Sequence, residues 1–157
     1  MTDKTGKHPQ PSLGFVISDV ARLIRRNFNR RVQHLGLTQA QWQVLAHLAR
    51  NEGIRQIQLA DVLDMQPISV ARIIDRMEAA GWVERRPDPA DRRAVNLYLA
   101  PKANPILAQM WEHGADTRQQ ALQHIPANQQ ELLLQLLLTM RENLSQDTTS
   151  TESELTP

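Results

Sequence analysis

The periodicity of apolar residues changes twice along this chain, and this limits the fold more than any other feature. Up to Gly81 apolar residues recur every three or four positions, as in amphipathic helices, and the same pattern returns after Pro101. Between these points, residues 82–86 and 94–99 read as two strands, and the second alternates clearly between apolar and polar residues. The sequence therefore predicts a mainly α fold with one small β-hairpin.

Two short helices joined by a tight turn precede the hairpin. The first is predicted over 57–63, and Pro67 opens the second because its fixed φ and missing N–H suit the first position of a helix. Gly81 ends this second helix, since glycine readily adopts the left-handed conformation at a helix C-terminus. The arrangement is typical of a helix-turn-helix, in which the second helix enters the major groove of DNA. The hairpin that follows is then a wing.

Further helices flank this unit. Apolar residues over 15–32 recur at helical spacing, with arginines on much of the remaining surface, and such a basic face is most often merely solvated. Thr38, followed three residues later by Gln41, forms a capping box that begins another helix. After the hairpin, two helices are predicted over about 104–124 and 127–143.

The last helix is apolar on more than one face. Its apolar residues fill one stripe at 4, 3, 4 spacing and the stripes beside it: Leu133, Leu137, Met140 and Leu144, then Leu132, Leu134, Leu136 and Leu138. A helix in a monomer of this size rarely needs so wide an apolar surface. Burial against a second subunit as well as its own would account for it, so we expect a dimer. The alternative is a helix buried in an ordinary monomer core.

Charge is distributed unevenly over the 157 residues, although 18 Lys+Arg and 17 Asp+Glu leave a net charge of only +1. Four carboxylates follow the last cation, Arg141, so residues 1–141 carry +5 and the remainder carries −4. The polar segments 1–12 and 145–157 are expected to be disordered tails, because they offer little apolar surface to offset the entropy of ordering. No segment resembles a signal peptide or a membrane span, which favours a cytoplasmic protein without membrane contact.

Several function classes lack the residues they need. The chain has no Cys, which excludes disulfides, thiolate zinc sites and thiol redox sensing. Its histidines show no metal-site spacing, so no metal or other cofactor is expected; they are His8, His34, His47, His113 and His124. No Gly-rich phosphate loop or nucleophile elbow appears, and the carboxylates lie beside arginines rather than in pairs, which argues against an enzyme.

A recognition helix reads base edges through residues near its N-terminus. Ser69 can bond to a base or phosphate, and Ile68 or Val70 can touch a thymine methyl. Arg72, one turn further along, suits a phosphate or a guanine edge. For these two residues taken in isolation, the alternative is that Ser69 merely caps the helix and Arg72 is solvated. The expected contacts from this helix are Gln66, Pro67, Ile68, Ser69, Val70 and Arg72.

The turn-rich loop between the two strands places arginines at the wing tip. Arg92 and Arg93 fit the negative potential of a narrow minor groove, whereas Arg85 and Arg86 at the base of the wing are expected to contact phosphates. Asp91 is expected to hold an arginine in a fixed rotamer through a bidentate pair. The alternative for the loop alone is a solvated turn of mixed charge. The alternative for the whole unit is a winged-helix module that binds another protein, but such a module would not need arginines at the wing tip.

The segment 35–103 resembles the MarR family of winged-helix transcription factors, and residues 102–107 are similar to its SlyA-like branch. The resemblance rests on four stretches: Leu37-Thr38-Gln39, Gln58-Leu59-Ala60, residues 69–78 with Gly81, and most specifically the wing segment 88–99. It implies one domain over 13–144. Within it, a winged helix-turn-helix at 38–100 lies between dimerisation helices at 13–35 and 104–144.

This resemblance also implies a function. A homodimer would bind a palindromic operator in double-stranded DNA through recognition helix 67–80 and wing 83–99, most often as a repressor of a nearby operon. Carried over residue by residue, Arg93 enters the minor groove and Asp91 orients it. Ser69 and Arg72 work in the major groove, and Arg76 of the same motif is a further expected DNA contact.

Many members of this family are released from DNA by small aromatic carboxylates, phenolics or their coenzyme A thioesters. The resemblance implies a pocket for such an effector between the dimer helices and the winged domain. A stacking surface beside a cation suits an aromatic carboxylate. The candidate walls are Trp42, His47 and Trp111, and the candidate carboxylate partners are Arg22 and Arg26. A regulator without a small-molecule effector remains an alternative.

Overall fold

The computed structural model of the protein describes residues 12–151, with side chains described through Ser145. The described part contains α1 (Leu13–Val32), α2 (Gln39–Leu48), β1 (Ile54–Arg55), α3 (Gln56–Val62), α4 (Pro67–Ala79), β2 (Val83–Pro87), β3 (Val95–Leu99), α5 (Asn104–Ala121) and α6 (Ala127–Thr151). Short 3-10 turns cover Gln33–Leu35 and Pro101–Ala103. This confirms the mainly α fold with a winged helix-turn-helix. Among the described residues, no helix is both long and apolar enough to cross a membrane.

The helix starts follow from local sequence. The Ser12 hydroxyl accepts the Phe15 N–H and caps α1, so Ser12 is part of a helix end, and the rest of the tail predicted over 1–12 lies outside the described residues. The Thr38 hydroxyl accepts the Gln41 N–H while the Gln41 side chain accepts the Thr38 N–H, which confirms the capping box. Helix α4 begins with Pro67 at its first position, as predicted.

The sheet contains one strand more than the sequence predicted. Its order is β1-β3-β2, with both pairings antiparallel, and β2 and β3 form the predicted hairpin. Gly53, at a φ of +81°, turns the chain into β1 and donates its N–H to the Leu97 carbonyl at 2.8 Å. A two-residue strand is too short to show a periodicity, which explains why β1 was not predicted.

The core joins the helix-turn-helix to the wing. Residues from five helices and two strands bury their side chains together, and the largest fully buried ones are Leu45, Leu48, Leu59, Ile74, Met77, Leu97 and Met110. Each such side chain stabilises the fold by about 1.5–3 kcal/mol relative to an exposed position. Helix α4 and the sheet are therefore parts of one packed structure and present their outer surfaces from a fixed base.

The chain divides into two compact units, one up to Arg118 and one from Gln119 onward. In the second unit, the Gln130 side chain donates to the carbonyls of Ile125 and Leu122 at 2.8 and 3.4 Å before α6 continues. No Pro or Gly interrupts α6, and it extends to Thr151. The predicted end of the helix near residue 143 and start of a tail at 145 are therefore corrected, whereas residues 152–157 lie outside the described part. The single domain over 13–144 stays a prediction.

Candidate nucleic-acid interface

Helix α4 has a buried face and an exposed face. Val70, Ile74 and Met77 are fully buried in the core. Ile68, Arg72 and Arg76 follow one another at intervals of four and are exposed, with 62% of Ile68 accessible. Among the described residues, neither the Arg72 side chain nor the Arg76 side chain has a hydrogen-bond or ion-pair partner. The helix therefore presents one apolar side chain and two unpaired guanidinium groups along a single stripe.

The residues at the start of α4 that were predicted to contact bases differ in their exposure. Gln66 and Pro67 are exposed and Ser69 is half-buried. Gln66, not Ser69, occupies the N-cap position, so the alternative in which Ser69 caps the helix does not apply. The prediction that Val70 touches a thymine methyl is wrong, because its side chain is 0% exposed and packs in the core.

Arg85 on β2 connects the wing to the helix-turn-helix. Its guanidinium pairs with Asp75 at 2.7 Å and Glu78 at 2.8 Å on α4, and it also donates to the Gln56 side chain and the Ala71 carbonyl. Only 24% of its side chain is exposed. Most of its donors are therefore used within the protein, and its contact with phosphate stays a prediction.

Arg86, its neighbour, points to the other side of β2, as the alternation of a strand requires. It is exposed, pairs with Glu84 at 2.9 Å and lies 4.2 Å from the centre of the Tyr98 ring. A guanidinium over an aromatic face is attracted by the negative charge of that face. Arg86 is thus partly engaged, and its contact with phosphate stays a prediction.

The wing loop between β2 and β3 is organised by two carboxylates. Asp88 accepts the N–H groups of Ala90 at 2.8 Å and Asp91 at 3.3 Å, and its other oxygen pairs with Arg55 at 3.0 Å. Asp91 accepts the backbone N–H of Arg93 at 3.0 Å. These bonds bend the loop into a compact turn.

The Ala90 amide is the main reason why the pKa of the Asp88 carboxyl lies below its usual value near 3.8. Arg55, which bonds to the same carboxylate, lowers the pKa further, while desolvation opposes the shift. Asp88 is therefore ionised at neutral pH, and the charge that pairs with Arg55 persists.

Arg92 and Arg93 at the wing tip are exposed and, in the part of the chain that the structure describes, have no side-chain partner. The expected bidentate pair of Asp91 with an arginine is not formed among the described residues, and Asp91 instead accepts the backbone N–H of Arg93. The other oxygen of Asp91 lies 3.9 Å from Arg55. Asp91 thus shapes the backbone that carries Arg93 and leaves its guanidinium available.

A groove of about 470 Å³ brings the wing and the helix-turn-helix together. It is lined from the wing by Arg85, Arg93, Ala94 and Val95, from the start of α3 by Arg55, Gln56 and Ile57, and from the start of α4 by Pro67. The free arginine of the wing and the first residue of α4 therefore belong to one continuous surface. Sequence reasoning missed Arg55 and Gln56, because their roles depend on a strand too short to detect.

The five residues proposed for an effector are not gathered in either of two surface grooves. None of them lines the groove above or a second one of about 370 Å³ beside β3 and α5. Arg22 pairs with Asp19, and Arg26 is exposed. Trp42 packs edge-to-face on Phe28 at 4.7 Å and donates to Asn29. Their role as a ligand site stays a prediction.

Trp111 and His47 show features that the sequence did not indicate. Trp111 is 43% exposed, and the Arg50 guanidinium lies 5.3 Å from the centre of its ring. Burial, and to a smaller extent Arg50, lower the pKa of His47 below its usual value near 6.5.

Within residues 12–151, no cluster of three or more His, Asp or Glu side chains is arranged to hold a metal ion.

The known proteins that this chain resembles are transcriptional regulators, and several belong to the MarR family. A sequence model described as the MarR family matches residues 35–94. The crystal structure of transcriptional regulator PA3341 is similar at 35% identity and a TM-score of 0.77 over 86% of this chain and 99% of that one. Wild-type MarR from E. coli in its apo form is similar at 30% identity and a TM-score of 0.71, over 82% and 96%. The transcriptional regulator SlyA is similar at 26% identity and a TM-score of 0.70, over 84% and 93%.

Proposed function

The chain belongs to the MarR family of transcriptional regulators, and we propose from this premise that it is a homodimeric repressor of a nearby operon. Membership makes it a DNA-binding regulator rather than an enzyme. The proposal adds that two copies bind one palindromic operator, each placing α4 in a major groove and its wing in the adjacent minor groove.

The observation that carries this proposal is the distribution of unpaired arginines. Arg72 and Arg76 on α4 and Arg92 and Arg93 on the wing are exposed without an internal partner among the described residues, whereas Arg55 and Arg85 beside them are paired. Exposed, unpaired guanidinium groups are available for phosphates and for a narrow minor groove. The groove shared by Arg93 and Pro67 supports the placement of both elements on one DNA-facing surface.

The roles within this surface follow from side-chain chemistry. Ile68 is apolar and exposed, which suits contact with a thymine methyl, and Ser69 carries a hydroxyl for a base or phosphate. Arg72 and Arg76 are proposed to contact phosphates that border the same major groove of DNA. Ser69 is therefore proposed to affect sequence preference, and Arg72 to affect affinity for all sequences.

DNA binding is tested by fluorescence anisotropy with the region upstream of the protein's own gene and with an unrelated duplex. Arg93→Ala is expected to weaken operator binding by about ten- to a hundredfold, because a groove contact contributes about 1–3 kcal/mol. Arg118→Ala, an exposed arginine on α5 outside the proposed interface, is the matched control and should bind like wild type. Equal binding by wild type and Arg93→Ala would refute the role of the wing.

A second copy of the chain is proposed to cover the apolar surfaces of the terminal helices. On α6, leucines at six positions from Leu132 to Leu138 are 38–60% exposed. On α1, Phe15 is 80% exposed and Leu23 48% exposed. Apolar surface of this extent marks an interaction site on a soluble protein. It supports the dimer that a palindromic operator requires.

An effector site is the least constrained part of the proposal. Arg50 above the exposed ring of Trp111 offers a stacking surface with a cation, which suits a small aromatic carboxylate, a phenolic compound or an acyl-coenzyme A thioester. A second candidate function is regulation without a small-molecule effector; the pairing of Arg22 with Asp19 and the packing of Trp42 on Phe28 favour it, since both side chains are already engaged within the chain. Titration of the protein–operator complex with salicylate, a simple aromatic carboxylate, tests the aromatic-carboxylate form of the first candidate, because release of DNA would refute regulation without an effector.

A further inference from the structure

We propose that Arg55 and Asp88 form a positioning pair that fixes the wing tip in the orientation required for DNA binding. The inference rests on the proposed function, since it assigns a task to residues that do not themselves contact DNA. Arg55 lies at the junction of β1 and α3, and Asp88 begins the wing loop. The pair therefore connects the first helix of the helix-turn-helix to the segment that carries Arg92 and Arg93.

Arg55 is itself held by the fold on two sides. Its backbone is paired with Asn96 in the sheet, and its N–H donates to the Gln58 side chain at the start of α3. From this position the guanidinium reaches Asp88 through two donors, Nη2 at 3.0 Å and Nε at 3.3 Å. The Asp88 side chain is only 12% exposed. The pair is thus built on a rigid part of the domain and is largely shielded from solvent on the carboxylate side.

The wing loop depends on this contact for its polar connection to the rest of the domain. Its other hydrogen bonds are internal, as in the bonds from Ala90 and Asp91 to Asp88 and from Arg93 to Asp91. Among the described residues, each side-chain hydrogen bond or ion pair from residues 88–94 to a residue outside the loop goes to Arg55. The internal bonds determine the conformation of the loop, and the contact with Arg55 determines the position of the loop relative to the rest of the domain.

Orientation matters because the guanidinium groups of Arg92 and Arg93 have no partner among the residues that the structure describes. A loop that moves relative to α4 must be ordered when DNA binds, and this ordering costs free energy. Asp91 also lies 3.9 Å from Arg55, so the same guanidinium faces both carboxylates of the loop. A loop fixed before binding avoids that cost and presents Arg93 beside Pro67, at the groove they share.

Positioning and simple charge effects make opposite predictions for Asp88→Asn. The substitution removes a negative charge near DNA, so electrostatics alone would strengthen binding. It also removes the ion pair between residue 88 and Arg55. The amide that Asp88→Asn introduces would keep an oxygen that can accept the Ala90 N–H. If the pair positions the wing, operator binding weakens despite the more positive charge.

The test measures operator affinity of the full-length Asp88→Asn and Arg55→Gln variants over a range of salt concentrations, with circular dichroism and thermal unfolding to verify the fold. We expect each variant to bind about three- to tenfold more weakly, and the double variant to bind no more weakly than Arg55→Gln, since both substitutions break the same contact. The dependence of affinity on salt should decrease as the contact of Arg93 with DNA is lost. Unchanged or tighter binding by folded Asp88→Asn would overturn the inference.

Arg93→Ala separates this inference from the proposed function. In a background with both Arg92→Ala and Arg93→Ala, Asp88→Asn should have little further effect, because both side chains being positioned are gone. If Arg93→Ala weakens binding and Asp88→Asn does not, the positioning pair is refuted and the role of the wing stands. If Arg93→Ala leaves binding unchanged, both are refuted.

Discussion

At the scale of single residues, the arginines of this chain differ in what their donors already contact. Arg85 bonds to four groups on α3 and α4, whereas its neighbour Arg86 is exposed and pairs with Glu84 and the Tyr98 ring. Arg85→Ala should lower the free energy of unfolding by about 1–3 kcal/mol, because Asp75 and Glu78 lose their partner and a packed side chain is removed. Arg86→Ala, the matched control, should cost less than about 1 kcal/mol in urea denaturation. Equal losses would contradict this distinction.

His47 predicts a pH dependence of stability. Since burial and Arg50 lower the pKa of this histidine in the folded protein, the unfolded chain binds the proton more readily. The contribution of neutral His47 to the free energy of unfolding is therefore complete above about pH 7.5. It is lost as the pH falls through the usual pKa near 6.5 toward the lower pKa of the folded protein. His47→Gln should reduce the loss of thermal stability between about pH 7.5 and 5. Identical pH profiles for the two proteins would show that His47 makes no such contribution.

Residue-level prediction from the sequence succeeded where one side chain acts on its own helix end, as with Thr38 and Gln41. It failed where the partner comes from a distant part of the chain. Val70 lies within a turn of the exposed Ile68, but packing of α4 on the core decides which of the two faces DNA. The bonds of Arg85 to Asp75, Glu78 and Gln56 were not predicted either, because the fold alone brings these partners to it.

At the scale of secondary-structure elements, the leucines of α6 make the most direct prediction. Leu133→Glu combined with Leu137→Glu places two charges on its exposed apolar stripe, where a second subunit would have to desolvate them. We expect this variant to sediment as a monomer at micromolar concentration while the wild type sediments as a dimer. Gln135→Glu, a polar position on the same helix, should remain dimeric. A monomeric wild type would refute the dimer itself.

The elements themselves were predictable to different degrees. Helices with a clear start, such as α2 and α4, and the alternating strand β3 were found from the sequence at nearly the right residues. The strand β1 was not, because two residues carry no periodic signal and its existence depends on pairing with Leu97 and Asn96. The end of α6 was placed too early because polar composition was taken to mean disorder, although no residue in that segment stops a helix.

At the scale of the whole molecule, the net charge of +1 combines a basic body with acidic residues near the C-terminus. Replacing Glu152 and Glu154 with Gln raises the charge of each chain from +1 to +3 without changing its length. Long-range attraction to DNA should then strengthen binding a few-fold at low salt. The gain should vanish near 0.5 M salt, where the Debye screening length falls to about 4 Å. A gain that persists at high salt in an anisotropy titration would contradict a purely long-range effect.

The two faces of α4 have a consequence for how such a protein changes over generations. Ile68 and Arg72 lie on the exposed face and Ser69 is half-buried, whereas Val70, Ile74 and Met77 form part of the core. Substitutions at exposed positions usually alter stability by less than about 0.5 kcal/mol, whereas core substitutions alter it by several times as much. Operator preference can therefore diverge between duplicated copies of the gene with little loss of stability. Arg85, whose loss would leave Asp75 and Glu78 of α4 without their partner, is expected to change slowly.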